Sequence, residues 1–316
     1  MSAEPNAIAR LGEDNAELFQ PRSLLQMTLR RFFRHRMAVA GLMMLSAILL
    51  YILGGALFIT EQQANYNDTS RRLTAPTEAH PLGTDVIGRD ILGRTIYGGQ
   101  ISLLIGIFAM TVGVSIGVTV GLLSGYYGGW LDAVLMRFTE AMLSVPSLLL
   151  LLVMANFFGG RIPQQTLFGR TFSGSVIVII LILGATSWMY LSRIVRSNVL
   201  SLRTTEYVLA ARALGASDWR IIASHILPNT LAPVIVAATL GVAQAILSEA
   251  YISFLGVGVK EPTATWGNIL EGSRQYVDSA PWLWIVPGIL IVMTVMSINF
   301  IGDGLRDALD PRSTRD

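Results

Sequence analysis

Six stretches without a single Asp, Glu, Lys, Arg or His constrain this chain more than any motif in it. They run over 37–60, 95–131, 141–160, 171–192, 226–248 and 279–302. A helix rises about 1.5 Å per residue and needs about 20 apolar residues to cross about 30 Å of hydrocarbon. The second stretch holds one span plus the glycine-rich turn Gly125-Tyr126-Tyr127-Gly128-Gly129 and is too short for two spans with a loop. The third and fourth are the shortest. The pattern predicts an all-α, polytopic membrane protein with six transmembrane helices. Charged residues make up 14% of the 316, against about a quarter in soluble domains, and they cluster between the apolar stretches. The first stretch, Met37 to Thr60, is longer than the about 7–15 apolar residues of a cleavable signal core. It reads as a span that stays in the membrane.

Arginine placement gives a direction. With a cytoplasmic N-terminus, the inside segments carry 15 of the 23 Lys and Arg, among them Arg30, Arg31, Arg34 and Arg36 just before the first span. That bias follows the positive-inside rule, and both termini are expected in the cytoplasm. The expected organisation is a cytoplasmic N-terminal tail over 1–36, a first transmembrane helix over 37–60 and an external loop over 61–94. A five-helix core over 95–302 contains a cytoplasmic loop at 204–229, and 303–316 forms a cytoplasmic C-terminal tail.

Several kinds of chemistry lack their parts. Without cysteine there are no disulfides, thiolate nucleophiles or Cys-held metals. The only lysine, Lys260, sits between Val259 and Glu261, so no P-loop grips ATP here. The three histidines, His35, His80 and His225, all lie outside the mid-spans, and no His-Glu-x-x-His occurs. Gly113-Val114-Ser115-Ile116-Gly117 matches a nucleophile-elbow pattern, but it lies inside a span and has no histidine base. A net charge of +2 provides no general attraction to nucleic acid. The chain therefore reads as a non-enzyme that binds no metal or cofactor of its own. A secondary transporter would need coupling ions inside its bundle, yet few ionisable groups lie within the spans and no paired broken helices stand out.

Five groups of residues merit attention. Gly113, Gly117, Gly121 and Gly125 recur every fourth position, a stripe that lets another backbone approach, either within the chain or on a second subunit. Glu140 opens the predicted third span three residues after Arg137, the spacing of an i,i+3 ion pair. Glu249 falls near the outer end of the fifth span. It reads either as part of a translocation path with Gln244 and Ser248 or as the partner of an arginine in a neighbouring loop. Asp303, Arg306 and Asp307 follow the sixth span as a solvated helix end or a second contact for a partner.

The fifth group is the segment Thr204 to Asn229, TTEYVLAARALGASDWRIIASHILPN. Thr204 or Thr205 caps a short helix with Glu206 in its first turn. Tyr207, Val208, Ala211 and Leu214 share a side, and Gly215 suits the left-handed stop. Ser217 starts a second short helix running to Ile226, and Pro228 marks entry into the fifth span. Small residues at Ala210, Ala211, Ala213 and Gly215 keep the first helix slim enough for a groove on a partner. Lipid headgroups are the other surface such a helix fits.

Ala210-Ala211, Gly215 and Leu227-Pro228 resemble the coupling-loop signature of ABC importer permeases, with Leu209 where the signature has Glu and His225 where it has Ile. The fuller segment is similar to that of dipeptide and oligopeptide (peptide/nickel) permeases. His80-Pro81-Leu82-Gly83-Thr84-Asp85 with Gly88-Arg89-Asp90 resembles their first external loop. Ser253-Phe254-Leu255-Gly256 with Glu261-Pro262 and Trp266-Gly267 resembles their last external loop. Asn299 to Asp307 with Leu309-Asp310-Pro311 resembles their C-terminal signature. The resemblance covers roughly residues 25–312 and is to the second of the two permeases in such importers. It implies a type I ABC importer transmembrane domain in a bacterial plasma (inner) membrane. It also implies a homologous permease as partner, two ABC ATPase subunits that bind ATP and Mg, an extracytoplasmic solute-binding protein, and membrane lipid. Glu206, Ala210, Ala211, Arg212, Gly215 and Pro228 are then the coupling contact. The implied solute is a di- or oligopeptide, with nickel or another small solute as the alternative and a self-sufficient secondary transporter as the rival class.

Overall fold

The computed structural model describes residues 24–167 and 170–310. Residues 1–23 and 311–316, much of the two expected tails, lie outside the described residues. Helix α1 (Leu24–Arg34) precedes α2 (Arg36–Gly54), whose last turn is a π turn over Leu50–Gly54. A short α3 (Glu61–Ala64) follows, then α4 (Ile91–Tyr127), α5 (Gly129–Ser144) and α6 (Ser147–Phe158). A hairpin of β1 (Gln165–Leu167) and β2 (Arg170–Phe172) leads to α7 (Gly174–Leu202) and α8 (Glu206–Ala213). The chain ends with α9 (Asp218–Phe254), α10 (Trp266–Ser273) and α11 (Trp282–Leu309). Helices α2, α4, α7, α9 and α11 are each long and apolar enough to cross a membrane. The α5–α6 pair, bent by 87°, makes a sixth crossing if its two halves are taken as one span.

That bend corrects the expected third span at 141–160. Pro146 forces the residue before it out of the helical region, and Val145 is extended at φ −81°, ψ 127°. Glu140 accordingly lies well inside α5 and does not open a span; its exposed side chain meets Arg137 at 3.4 Å. The second span also starts earlier than its charge-free stretch. Asp90 caps α4 by accepting from Gly93 N at 3.0 Å, so Arg94 is helical and not part of a loop. Over 37 residues α4 extends about 55 Å, well beyond the hydrocarbon layer. The fifth span, expected as a separate helix after Ile226, is continuous from Asp218. It passes Pro228, which has no N–H to donate, through a π turn over Ile222–Ile226. In the same way, α11 runs on to Leu309, well into the predicted tail at 303–316.

Helices α4 and α7 form the most extensive pair. The glycine stripe makes it possible, and it faces this chain's own α7. A β-carbon on Gly117 would lie 2.9 Å from the Trp188 carbonyl oxygen, and one on Gly125 2.7 Å from Val199 Cβ. Gly184 on α7 returns the fit, with a β-carbon there 2.6 Å from Val112 Cβ. Among lipid tails no hydrophobic force draws helices together, so close van der Waals contact holds the pair.

The start of the first span and the end of the last lie together. Phe32, Ala38 and Ala308 form one buried cluster, and His35 Nε2 approaches Asp307 Oδ2 at 3.4 Å. The loop between α7 and α9 lies at this same termini-bearing face. At the opposite face, Trp266 seats α10 between α4 and α9, its Nε1 donating to the Thr95 carbonyl at 2.9 Å.

Candidate functional site

The termini-bearing face carries an exposed two-armed loop between α7 and α9. Helix α8 starts after Thr205, whose hydroxyl turns back to the Leu202 carbonyl at 2.6 Å and does not cap the helix. Glu206 occupies the first turn, exposed. The helix stops at Gly215, φ +81°. The Ala216 N–H donates to Ala211 O at 3.1 Å and the Gly215 N–H to Arg212 O at 3.0 Å, the paired bonds of a Schellman stop. Asp218 then begins α9.

The side chains sort differently from the expected common side. Val208 is fully buried in the cluster with Val199 and Ile221, whereas Leu214 is 89% exposed. Helical spacing puts them on one stripe, but α8 ends at Ala213, and Leu214 just past it turns out to solvent. Ala210, Ala213, Arg212 and Gly215 face solvent with Leu214, and Trp219 on the second arm is 77% exposed. A groove of about 510 Å³ runs beside them, bounded by Tyr207, Ala211, Ala216, Arg220 and His225. Two large apolar side chains projecting from a tip lined with small residues make a shape that fits a partner's groove. Pro228 lies apart from this tip, exposed at the base of α9.

Sequence reasoning did not connect Tyr126 to this loop. It lies in the last turn of α4, is 5% exposed, and donates from its hydroxyl to Asp218 Oδ1 at 2.6 Å. Arg212 Nη2 donates to the same hydroxyl at 3.3 Å. The available signal is the aromatic pair Tyr126-Tyr127 in the glycine-rich turn.

The second polar centre surrounds Glu249. Glu249 is fully buried. Ser253 Oγ donates to its Oε1 at 2.7 Å and Ser102 Oγ to its Oε2 at 3.2 Å. Those two hydroxyls in turn accept the Val259 and Trp266 N–H groups, both at 3.2 Å. The carboxyl group thus joins α4, α9 and the segment leading to α10, with hydroxyls and not arginine as partners. Gln244 is exposed and Ser248 half-buried.

At the opposite face Arg89 and Arg94 gather the outer loops. Arg89 reaches Asp85 at 2.6 Å and Glu261 through both guanidinium arms. Arg94, 2% exposed, donates to Asn65 Oδ1 at 3.0 Å and Pro262 O at 3.3 Å. Partial burial works to raise the Glu261 carboxyl, but the Arg89 hydrogen bonds and the charges of Arg94 and Arg89 outweigh it and hold it below its ordinary range. Its contribution is therefore fully present above the ordinary value near about 4.3 and is lost as pH falls through the lower folded value. Glu261→Gln should destabilise the protein by about 2 kcal/mol at neutral pH. That is less than for a fully buried pair, because Glu261 is itself half exposed. Thermal unfolding in detergent from pH 7 to pH 3 checks this: the wild type should lose its advantage over the variant only in the acid limb. A constant difference down to pH 3 would assign the effect to packing.

Residues 117–315 match the family described as binding-protein-dependent transport system inner membrane component. Residues 23–76 match the N-terminal TM domain of oligopeptide transport permease C. The dipeptide transport system permease protein DppC of Alkalihalophilus pseudofirmus is 38% identical over 88% of this chain and 87% of its own length. The oligopeptide transport system permease proteins OppC of Haemophilus influenzae and Escherichia coli are 41% and 40% identical, each over 92% of this chain and over 89% and 92% of their own lengths. The fold is also similar to that of the MetNI methionine ABC transporter in an inward-facing conformation, with a TM-score of 0.52, 23% identity, and coverage of 67% of this chain and 94% of that one. The long helices, the bent third crossing and the matched 117–315 segment agree: this chain belongs to the family of binding-protein-dependent transport system inner membrane components.

Proposed function

We propose that this chain is one of two permease subunits of an ATP-driven importer and forms half of the path for di- or oligopeptides. The observation that carries the reading is the likeness, at about 40% identity and along about nine-tenths of the chain, to proteins named as dipeptide and oligopeptide permeases. ATP and Mg belong to two separate ATPase subunits, a homologous permease completes the path, and an extracytoplasmic binding protein supplies the peptide. Both termini and the α7–α9 loop face the cytoplasm. The loop tip, with Glu206, Ala210, Ala211, Arg212, Gly215 and the exposed Leu214 and Trp219, is the ATPase contact. ATP binding favours one arrangement of the ATPases. The docked tip makes different contacts in each arrangement, and that difference biases the bundle between inward-open and outward-open states. Such a bias is limited by the difference in contact energy between the two states.

Reconstitution tests the reading. The chain alone in proteoliposomes should move no peptide. Adding the partner permease, the ATPases, the binding protein and ATP should start uptake. Peptide flux through the isolated chain would replace this reading with the secondary-transporter one.

A further inference from the structure

We propose that the Tyr126 hydroxyl is the link through which movement of the α7–α9 loop reaches the second span, making Tyr126 a positioning residue for coupling. The inference rests on the reading of that loop as the ATPase contact. One phenol holds both arms of the loop. It donates to Asp218, the first residue of α9, at 2.6 Å and accepts from Arg212 of α8 at 3.3 Å. The Arg212 guanidinium also lies over the Tyr126 ring, 5.5 Å from its centroid. The phenol is the side chain of the penultimate residue of α4, and its position is fixed from behind. Arg203 Nη1 donates to Gly125 O at 3.1 Å and to Tyr126 O at 3.4 Å, while Gly125 packs on Val199.

A rigid helix end gripping two loop arms has a use beyond stability. Arg212 and Asp218 are both solvent-facing, so these bonds add little as static glue. Their effect is geometric, because tilting α8 against α9 must either pull Tyr126 or break one of the two bonds. At its other end α4 reaches the Trp266 and Glu249 centre through Thr95 O and Ser102 Oγ. Helix α4 therefore joins the loop to α10 and the far end of α9 by continuous hydrogen-bonded and helical contacts. The continuous α9 gives the loop a second, direct route, and the Tyr126 hydroxyl makes the two helices move together.

The test uses the whole reconstituted importer and reads peptide imported per ATP hydrolysed. Tyr126→Phe keeps the ring and its packing and removes only the hydroxyl. It should retain the ATPases on co-purification and hydrolyse ATP, yet import about tenfold less peptide per ATP, the scale set by one charge-assisted hydrogen bond. Asp218→Ala, which removes the acceptor, should lower the ratio in the same direction. The double variant should be no worse than Tyr126→Phe, since both remove one link. A wild-type ratio in Tyr126→Phe overturns the proposal, as does a fall that merely tracks loss of the ATPases. Should Tyr126→Phe not assemble, Asp218→Ala decides, being an exposed change that removes the acceptor: a wild-type ratio there overturns the proposal as well. Leu214→Cys separates this from the underlying reading. If it forms no cross-link to an ATPase in the wild-type background, the loop is not the contact and both fall. A cross-link with an unchanged Tyr126→Phe ratio removes only the link.

Discussion

Gly121→Leu is expected to abolish accumulation of the folded protein in the membrane. A β-carbon at this position would lie 2.6 Å from Val195 Cβ and 2.7 Å from the Ser192 carbonyl oxygen. One of those atoms is backbone of α7 and cannot rotate away, so a leucine must push two spans apart. Overpacking a filled interior costs about 1–3 kcal/mol where neighbours can shift. Here separation would also loosen Gly117 and Gly125 from the same partner helix, and the cost should exceed that range. Without a hydrophobic force between helices, little offsets the lost contact. Gly288→Ala is the control: it is also in a helix interior, but a β-carbon there meets nothing within 4 Å. That variant should accumulate normally, because alanine is favoured over glycine in a helix by about 0.5–1 kcal/mol. Yield of monodisperse protein after detergent extraction measures both. Normal yield of Gly121→Leu would mean that the α4–α7 contact is not what holds the fold.

How much of this was legible in the sequence depends on which physical effect sets each feature. The crossings were readable because hydrocarbon excludes charge, and five of the charge-free stretches fall on the five long helices. Helix ends were not, because such stretches mark where lipid permits a chain, and helices stop for other reasons. Arg94 is tolerated inside α4 because Asn65 and the Pro262 carbonyl receive it, and neither partner is near it in sequence. The 87° break at Pro146 was signalled by a proline in an apolar stretch, but the stretch was read for length alone. Glu249 shows a sharper limit. A lone carboxyl in a span suggests a path or an ion pair, whereas its partners are two serines that also hold the N–H groups of distant loop residues. Hydroxyls carry no charge pattern that a sequence displays. At the α7–α9 loop the capping glycine was legible from local chemistry, and Gly215 adopts the left-handed backbone. Which side of α8 is buried was decided by Val199 and Ile221, not by the period of the helix.

The same residue type gives the opposite result at that loop. Gly215→Arg should leave the protein folded and paired with its partner permease while lowering peptide-stimulated ATP hydrolysis by at least about a hundredfold. The folding cost is confined to the backbone: at φ +81° any L-residue is strained by about 1–2 kcal/mol, and a β-carbon there meets nothing within 4 Å. The functional cost comes from what the tip must enter. Leu214, 89% exposed, and Trp219, 77% exposed, flank Gly215, and such projecting anchors carry most of the energy of a contact of this kind. An arginine between them would have to be desolvated without a carboxylate prepared for it. A loss of about 3 kcal/mol corresponds to the hundredfold fall. Gly215→Ala divides the two costs, since it imposes the same backbone strain without the guanidinium and should keep most of the activity. The measurement is ATP hydrolysis by the assembled importer with and without peptide-loaded binding protein, alongside co-purification of the partner permease. If Gly215→Arg couples as the wild type does, the tip does not enter the ATPase. If Gly215→Ala fails as badly as Gly215→Arg, the shape of the turn and not the occupied groove sets the coupling.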